Sequence, residues 1–330
     1  MMQRLTSLAA LAALAFVASA NTAGGDLESR VTASDGWVAY RVPMIAGVDP
    51  PCCYSVHDGT STKKGCDLDG HSWSFAGDHD DPAVALDGTL VMYFRVEHGR
   101  VERVRAVAAS CPVRTESAVR WIDSIDPANS VAMLSSLLDR KTADAGDGSL
   151  VALAYHADAA ATRALTARVE HSPSFKEREQ ALFWLGHTRG TEGAQVIEHY
   201  ATTNADPKLR AKAIFALTQS KVPDVYAHIL TMAHDDPAED VRGEAFFWLA
   251  HMDDARAKGD IIASLNTEGS DRVRERAVFA LSQLHNGAAD DALIAVLRGN
   301  YPRAVKKSAL FWLGQSGTPQ AMAYFDEALK

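Results

Sequence analysis

No cysteine precedes Cys52 and none follows Cys111, so the second half of this 330-residue chain has no thiol for catalysis, metal ligation or cross-linking. The chain also lacks a glycine-rich phosphate loop, a serine nucleophile elbow and a helix carrying a histidine pair at zinc-ligand spacing. Nucleotide hydrolysis, acyl transfer and zinc-assisted hydrolysis, each of which announces itself by such a motif, therefore have no visible carrier. Positive charge is not in excess. Lys and Arg number 33 against 42 Asp and Glu, a net charge of −9, the opposite of the basic footprint that nucleic-acid phosphates require. After the first twenty residues, no apolar run approaches the roughly 18 residues of a membrane-spanning helix. The expectation is a protein that is not an enzyme, holds no cofactor and no metal, and binds neither nucleic acid nor lipid through a membrane span.

Those first twenty residues have the layout of a secretory signal. Arg4 supplies the charge, residues 8–17 an unbroken apolar core, and Ala18-Ser19-Ala20 a small-residue cleavage site before Asn21. An exported protein, periplasmic or extracellular after cleavage, is expected. No cysteine follows the site directly, so no bacterial lipoprotein anchor is expected either.

Residues 21–115 read as a small β-rich domain. The stretch 37–42 (WVAYRV) is aromatic and β-branched and stops at Pro43, while 89–96 and 100–107 flank His98-Gly99 as a hairpin. All four cysteines, Cys52, Cys53, Cys66 and Cys111, lie here. In an exported chain with a thin core they are most simply two disulfides. A bond between the adjacent Cys52 and Cys53 would close a strained ring, so one of that pair should join Cys66 and the other Cys111. Zinc held by Cys52, Cys53, Cys66 and His57 or His71 is the alternative, on a spacing that fits none of the common zinc patterns. Residues 67–81 add Asp67, Asp69, His71, Asp78, His79, Asp80 and Asp81, the oxygen and nitrogen donors a divalent cation needs. A metal-dependent hydrolase or ligand-binding activity centred there is the alternative function. The calcium-loop spacing fails, because the glycine falls at Gly70 where the pattern needs one at position 72, and such acidic, glycine-punctuated stretches are ordinarily solvated turns.

From residue 116 to 330 a nonapeptide recurs: QALFWLGHT, KAIFALTQS, EAFFWLAHM, RAVFALSQL and SALFWLGQS, with its alanine at Ala181, Ala213, Ala245, Ala277 and Ala309. The period is 32 residues, and Leu153 marks a weaker sixth member. Such a period belongs to a solenoid whose repeating unit cannot bury its apolar face alone. Each unit should hold two helices, the second carrying the nonapeptide and the first lying between, as over 192–201 or 223–234. Asp126-Pro127 should start the first helix of the array, and 319–329 should close it as a polar-faced cap.

Leu209-Arg210, Val241-Arg242 and Val273-Arg274, followed by Ala213, Ala245 and Ala277 and then Leu217, Leu249 and Leu281, resemble the second-helix pattern of the HEAT family of α-solenoids, including the HEAT-like repeats of phycobilisome lyases. Glu177, Lys306 and the tryptophans depart from that pattern. The resemblance covers about residues 140–330 and implies an α-solenoid of about six HEAT-type hairpins behind a disulfide-bonded β domain. It also implies second helices lining a concave, protein-binding surface.

On a helical wheel Ala181, Trp184, Leu185 and Thr188 share one arc, as do Leu209, Ala213, Ala216, Leu217 and Ser220. The alternation Ala152, Trp184, Ala216, Trp248, Ala280, Trp312 then reads as large-facing-small packing in the core. Off that arc lie Phe183, Phe215, Phe247, Phe279 and Phe311, with His187, Gln219, His251, Gln283 and Gln315 one turn later. One aromatic and one hydrogen-bonding side chain per repeat suits an extended peptide or protein partner. The same row buried between repeats is the other possibility. Arg178, Arg210, Arg242, Arg274 and Lys306 read as inter-repeat ion pairs with carboxylates such as Glu177, Glu179, Asp240 and Glu275. A monomer is expected.

Overall fold

A computed structural model describes residues 26–329 except 53, 58–59, 65, 71–87, 141–142, 221, 253–254 and 286. The signal segment and most of the Asp/His stretch lie outside the described residues. The chain divides into two compact units, Met1–Trp184 and Leu185–Lys330.

The first unit begins with a short helix over 26–31 (α1) and strand β1 (Gly36–Pro43). Small strands β2 (Tyr54–His57), β3 (Thr60–Lys64) and β4 (Cys66–Asp67) follow. The long hairpin β5 (Thr89–Glu97) and β6 (Arg100–Ala108) is followed by β7 (Val113–Arg114) and β8 (Val119–Trp121). The main sheet has the order β6-β5-β1-β8, with β8 parallel to β1. His98 and Gly99, at φ 52° and 69°, form the two-residue turn in which both residues take positive φ, matching the twist of the strands they join.

Both faces of this sheet are covered, which is why β1 and β5 read as nearly continuous apolar runs instead of alternating ones. On one face lie Val38, Tyr40, Met92, Phe94 and Val104, all buried. Helices α2 (Pro127–Leu138) and α3 (Ala143–Tyr155) pack there, and the Tyr40 and Ser130 hydroxyls lie 2.9 Å apart. Gly148 of α3 sits against the β6 backbone so closely that a Cβ would come 2.2 Å from the Val104 carbonyl oxygen. On the other face Trp37, Ala39, Val91, Tyr93 and Val107 form a core with Cys66, Leu68 and Cys111. Cys52 and Cys111 form a disulfide with Cα atoms 5.4 Å apart, as the pairing argument allows. Cys66 is also disulfide-bonded, and Cys53 lies outside the described residues. The sheet takes its last strand from 119–121, so the β structure runs past residue 115. Asp126 caps α2, its carboxylate accepting from the Ala128 amide with Pro127 at the first helical position.

Helices α4 (Ala159–His171) and α5 (Phe175–Thr188) follow, and the second unit continues with α6 (Gly190–Thr203), α7 (Pro207–Thr218), α8 (Val225–Asp235), α9 (Glu239–His251), α10 (Ala257–Thr267), α11 (Asp271–Ser282), α12 (Ala288–Arg298), α13 (Arg303–Ser316) and α14 (Pro319–Ala328). The nonapeptides fall at the ends of α5, α7, α9, α11 and α13, the second helices of successive hairpins. Leu209, Ala213 and Leu217 are buried, as are Val241, Ala245 and Leu249, Val273, Ala277 and Leu281, and Val305, Ala309 and Leu313. A second buried row, Ile214, Phe246 and Val278, lies one residue after each alanine.

One expectation is corrected. Trp184, Trp248 and Trp312 are half-buried and not core, while Ala152, Ala216 and Ala280 are buried. The indoles lie at the edge of the apolar arc and meet phenylalanine rings tilted or edge-on. Helix α14 buries only Ala321 and exposes Gln320, Asp326 and Glu327 together with Met322.

Candidate binding surface

The phenylalanine row is neither open nor buried. Phe215, Phe247 and Phe279 are half-buried, and Phe311 is 56% exposed. The rings form one unbroken contact series along the second unit. Phe215 lies 4.8 Å from Trp248, centroid to centroid, and Trp248 5.2 Å from Phe247. Phe247 stacks on Phe279 at 6.1 Å, Phe279 meets Trp312 at 4.8 Å, and Trp312 meets Phe311 at 5.0 Å. The size alternation therefore has a second consequence beyond packing: on α9 and α13 an indole reaches back to the phenylalanine of the preceding second helix. In the first unit Phe183 is half-buried, with Trp184 at 5.0 Å and Tyr155 5.8 Å from that indole.

The polar row has a fixed chemistry. Gln219 donates its side-chain N–H to the Thr218 hydroxyl (3.1 Å), which donates to the Phe215 carbonyl (2.7 Å). Gln283, Ser282 and Phe279 repeat the relay at 2.9 and 2.6 Å. His251 Nδ1 is 2.8 Å from the Phe247 carbonyl, which can only accept, so Nδ1 carries a proton and donates it there. His251 also lies over Phe247 at 4.1 Å and meets His285 edge-on at 6.1 Å. In each of these three repeats the side chain four residues after the phenylalanine makes a hydrogen bond within its own helix end. Gln315 is exposed and His187 half-buried.

Charge beside the strip is largely self-cancelling. Asp240 of α9 accepts from Arg272 (2.7 Å) and Arg276 (3.0 Å) of α11, and Glu244 accepts from the Trp248 indole N–H at 3.0 Å.

Of the arginine ladder, Arg210 and Arg242 make inter-repeat ion pairs, with other partners than the nearby carboxylates expected. Arg210 grips Asp236 with two bonds of 2.8 Å, both side chains buried, and donates to the Asn204 carbonyl at 2.7 Å. Arg242 grips Glu268 at 2.8 and 3.1 Å and donates to the Asp236 carbonyl. These carboxylates close the ends of α8 and α10 in the following hairpin, where they also meet backbone amides. Burial pushes Glu268 up, but the Arg242 bond and the Ser270 amide outweigh it and hold the carboxyl below its ordinary value. Arg178 and Arg274 do not cross repeats: Arg178 donates to the Val169 carbonyl and Arg274 to the Leu265 carbonyl and Asp271, all within their own hairpins. Fully engaged guanidinium groups of this kind staple loops and are not offered to an external phosphate.

In the Asp/His stretch, Asp69 is consumed by the fold. It accepts from the Trp37 indole (2.7 Å), the Thr115 hydroxyl (2.8 Å) and the Glu116 amide (2.8 Å). Burial raises its pKa, yet these bonds together lower it below the usual carboxylate range. Asp67 accepts from the Asp69 amide and lies 3.7 Å from Arg114. His71, Asp78, His79, Asp80 and Asp81 lie outside the described residues. Among the described residues, no group of three His, Cys, Asp or Glu side chains could hold a metal ion, and no helix is long and apolar enough to cross a membrane.

Residues 162–250 match the family model of HEAT repeats, and residues 273–299 match that of the PBS lyase HEAT-like repeat. The array in this chain is built of HEAT repeats. No curated protein matches it. Among solved structures the HEAT-repeat chain is similar to human deoxyhypusine hydroxylase in complex with glycerol, at 16% identity and a TM-score of 0.33, over 58% of this chain and 87% of that one. A likeness of that degree bears on neither substrate nor chemistry. The helical wheel missed Trp248 and Trp312 as members of the strip. The signal for them was their place directly after the phenylalanine in every second repeat.

Proposed function

We propose that this HEAT-repeat protein is an exported, non-catalytic scaffold that binds an extended peptide, or an extended segment of a protein, along the second helices of its second unit. The observation that carries the reading is the aromatic series Phe215, Trp248, Phe247, Phe279, Trp312, Phe311, half-buried up to the exposed Phe311, with Gln219, His251 and Gln283 one turn after its phenylalanines. Packed helices lie about 8–10 Å apart, close to three residues of extended chain at about 3.3 Å each. A peptide crossing α7, α9 and α11 would meet one aromatic platform and one hydrogen-bonding side chain about every three residues. Apolar side chains at that spacing are the recognition feature expected of the ligand. In HEAT-type arrays the second helices line the concave side, which suits this direction of approach.

Export rests on the first twenty residues and is tested separately, by the mass of the protein recovered outside the cytoplasm. A mature form starting at Asn21 is expected, and an unprocessed one would withdraw that half of the proposal. For binding, peptides selected from a random extended library against the mature protein should carry apolar residues spaced by three. Their affinity should fall in Phe247→Ala and Phe279→Ala. Selection of no peptide, or of peptides indifferent to both substitutions, would remove the strip as the binding surface.

A further inference from the structure

The aromatic strip of the second unit does not repeat at every helix. The residue after each phenylalanine alternates, Ala216, Trp248, Ala280, Trp312, and the fold turns that alternation into two kinds of seam. Between α7 and α9, and again between α11 and α13, the following helix sends an indole onto the phenylalanine of the preceding one: Trp248 onto Phe215 and Trp312 onto Phe279, both at 4.8 Å. Between α9 and α11 the same position is Ala280, and Phe247 and Phe279 meet each other instead, at 6.1 Å with their planes 11° apart. The polar row doubles its period in step. Gln219 and Gln283 each donate to the hydroxyl of the residue before them, while His251, between them, donates to the Phe247 carbonyl.

The seam between α9 and α11 is bounded at both ends. Toward the helix N-termini Arg276 crosses from α11 to Asp240 at 3.0 Å and Glu244 at 3.8 Å, passing over Gly243, where a Cβ would collide with it. Toward the C-termini His251 lies over Phe247 at 4.1 Å and meets His285 edge-on at 6.1 Å. Between these ends stand the two phenylalanine rings, both half-buried. Ala280 beneath them is fully covered, so a further ring has its place on the phenylalanines, offset or edge-on as ring pairs prefer. Each flanking seam carries an indole of the chain's own; this one does not.

We infer that the ligand supplies the missing ring: one large aromatic side chain of the bound peptide rests on Phe247 and Phe279, and smaller apolar side chains lie about three residues to either side, toward Trp248 and Trp312. The two neighbouring seams carry the internal precedent, because there an indole of this chain makes the contact with a strip phenylalanine that the guest ring makes here. One helix step of about 8–10 Å is about three extended residues, so a peptide with a large ring at every third position would set its outer rings against the indoles. Ala280 is thereby a specificity-determining position. The inference rests on the peptide-binding reading and deepens it by naming the central anchor.

The test is fluorescence anisotropy on the mature chain with two labelled nine-residue peptides that differ at one place. Both carry leucine at their second and eighth positions on a serine background, and the fifth is tryptophan in one and leucine in the other. The parent should bind the tryptophan peptide at least about tenfold more tightly, as an aromatic anchor does. Ala280→Trp, which gives the seam between α9 and α11 the indole of its neighbours, should erase that preference by weakening the tryptophan peptide alone, with parent circular dichroism. Should Ala280→Trp unfold the array, Phe279→Leu, which keeps apolar bulk and removes one ring face, should reduce the same preference. Equal binding of the two peptides by the parent, or a tryptophan preference that survives the substitutions, would overturn the inference and leave the strip as a binding surface. Binding of neither peptide would remove the strip reading and the inference together.

Discussion

Residues 36–121 and residues 190–328 bury comparable side chains by opposite routes. In the sheet unit Trp37 is covered by Val91, Tyr93 and Leu68, residues brought from far along the chain by strand pairing and fixed by the Cys52–Cys111 bond. In the repeat unit each buried leucine is covered by its own hairpin and the next one, and the polar links follow the same rule, Arg210 to Asp236 and Arg242 to Glu268. Stability in the first unit is concentrated in a few distant pairings. In the second it is spread along nearest-neighbour contacts, so the same face can be repeated and lengthened without redesign, which a binding surface can exploit.

This comparison is sharpened most by striking the array at one repeat. Phe246→Ala empties a fully buried position and should cost about 3–5 kcal/mol in urea unfolding. Arg210→Met leaves Asp236 buried and unpaired and should cost a similar 3–5 kcal/mol. Hydrogen exchange should place both losses in α6 to α9 before the distant repeats; uniform loss of protection would show that the array does not behave as nearest-neighbour units. Next in size, Cys52→Ala with Cys111→Ala should cost about 2–5 kcal/mol and loosen the sheet unit alone. An equal loss of protection in α8 to α11 would erase the distinction between the units.

A smaller effect is expected in acid. Asp69 is held below its ordinary value when folded, so its contribution is present above pH ~4, the unfolded aspartate value, and is lost as pH falls from there through the lowered folded value. Asp69→Asn should flatten the acid limb of sheet-unit stability below pH ~4 and leave the repeat unit's limb as it was. An unchanged slope would mean that the three hydrogen bonds to Asp69 do not set its titration. The smallest change belongs to the exposed pairs: Arg272→Met should move stability by no more than about 1 kcal/mol.

The array was legible because its spacing is written five times over, and each alanine and leucine of the nonapeptide lands where the wheel puts it. Strand β8 was not, since three residues, VRW, carry no period and pair in parallel with a strand far back in the sequence. The ion-pair partners were missed for a related reason. The nearby carboxylates Glu177, Glu179, Asp240 and Glu275 are close in sequence, but the arginine forks reach Asp236 and Glu268 at the turn of the next hairpin. The tryptophans were misplaced because a wheel gives an angle and not the reach of an indole. At the edge of the apolar arc Trp248 can lie out over Phe215. In the candidate site the phenylalanine row itself was read from the sequence, while its joining by indoles needed coordinates.

The claim that the aromatic strip is a surface for partners and not merely packing is tested most directly by measuring affinity and stability on the same variant. Phe247→Ala with Phe279→Ala should reduce affinity for a selected peptide by at least about tenfold, as loss of aromatic anchors does. Its unfolding free energy should fall by less than the roughly 3–5 kcal/mol expected for a fully buried Phe246→Ala. Unchanged affinity together with a loss as large as that of Phe246→Ala would contradict the account, because the rings would then be core and the binding surface would lie elsewhere.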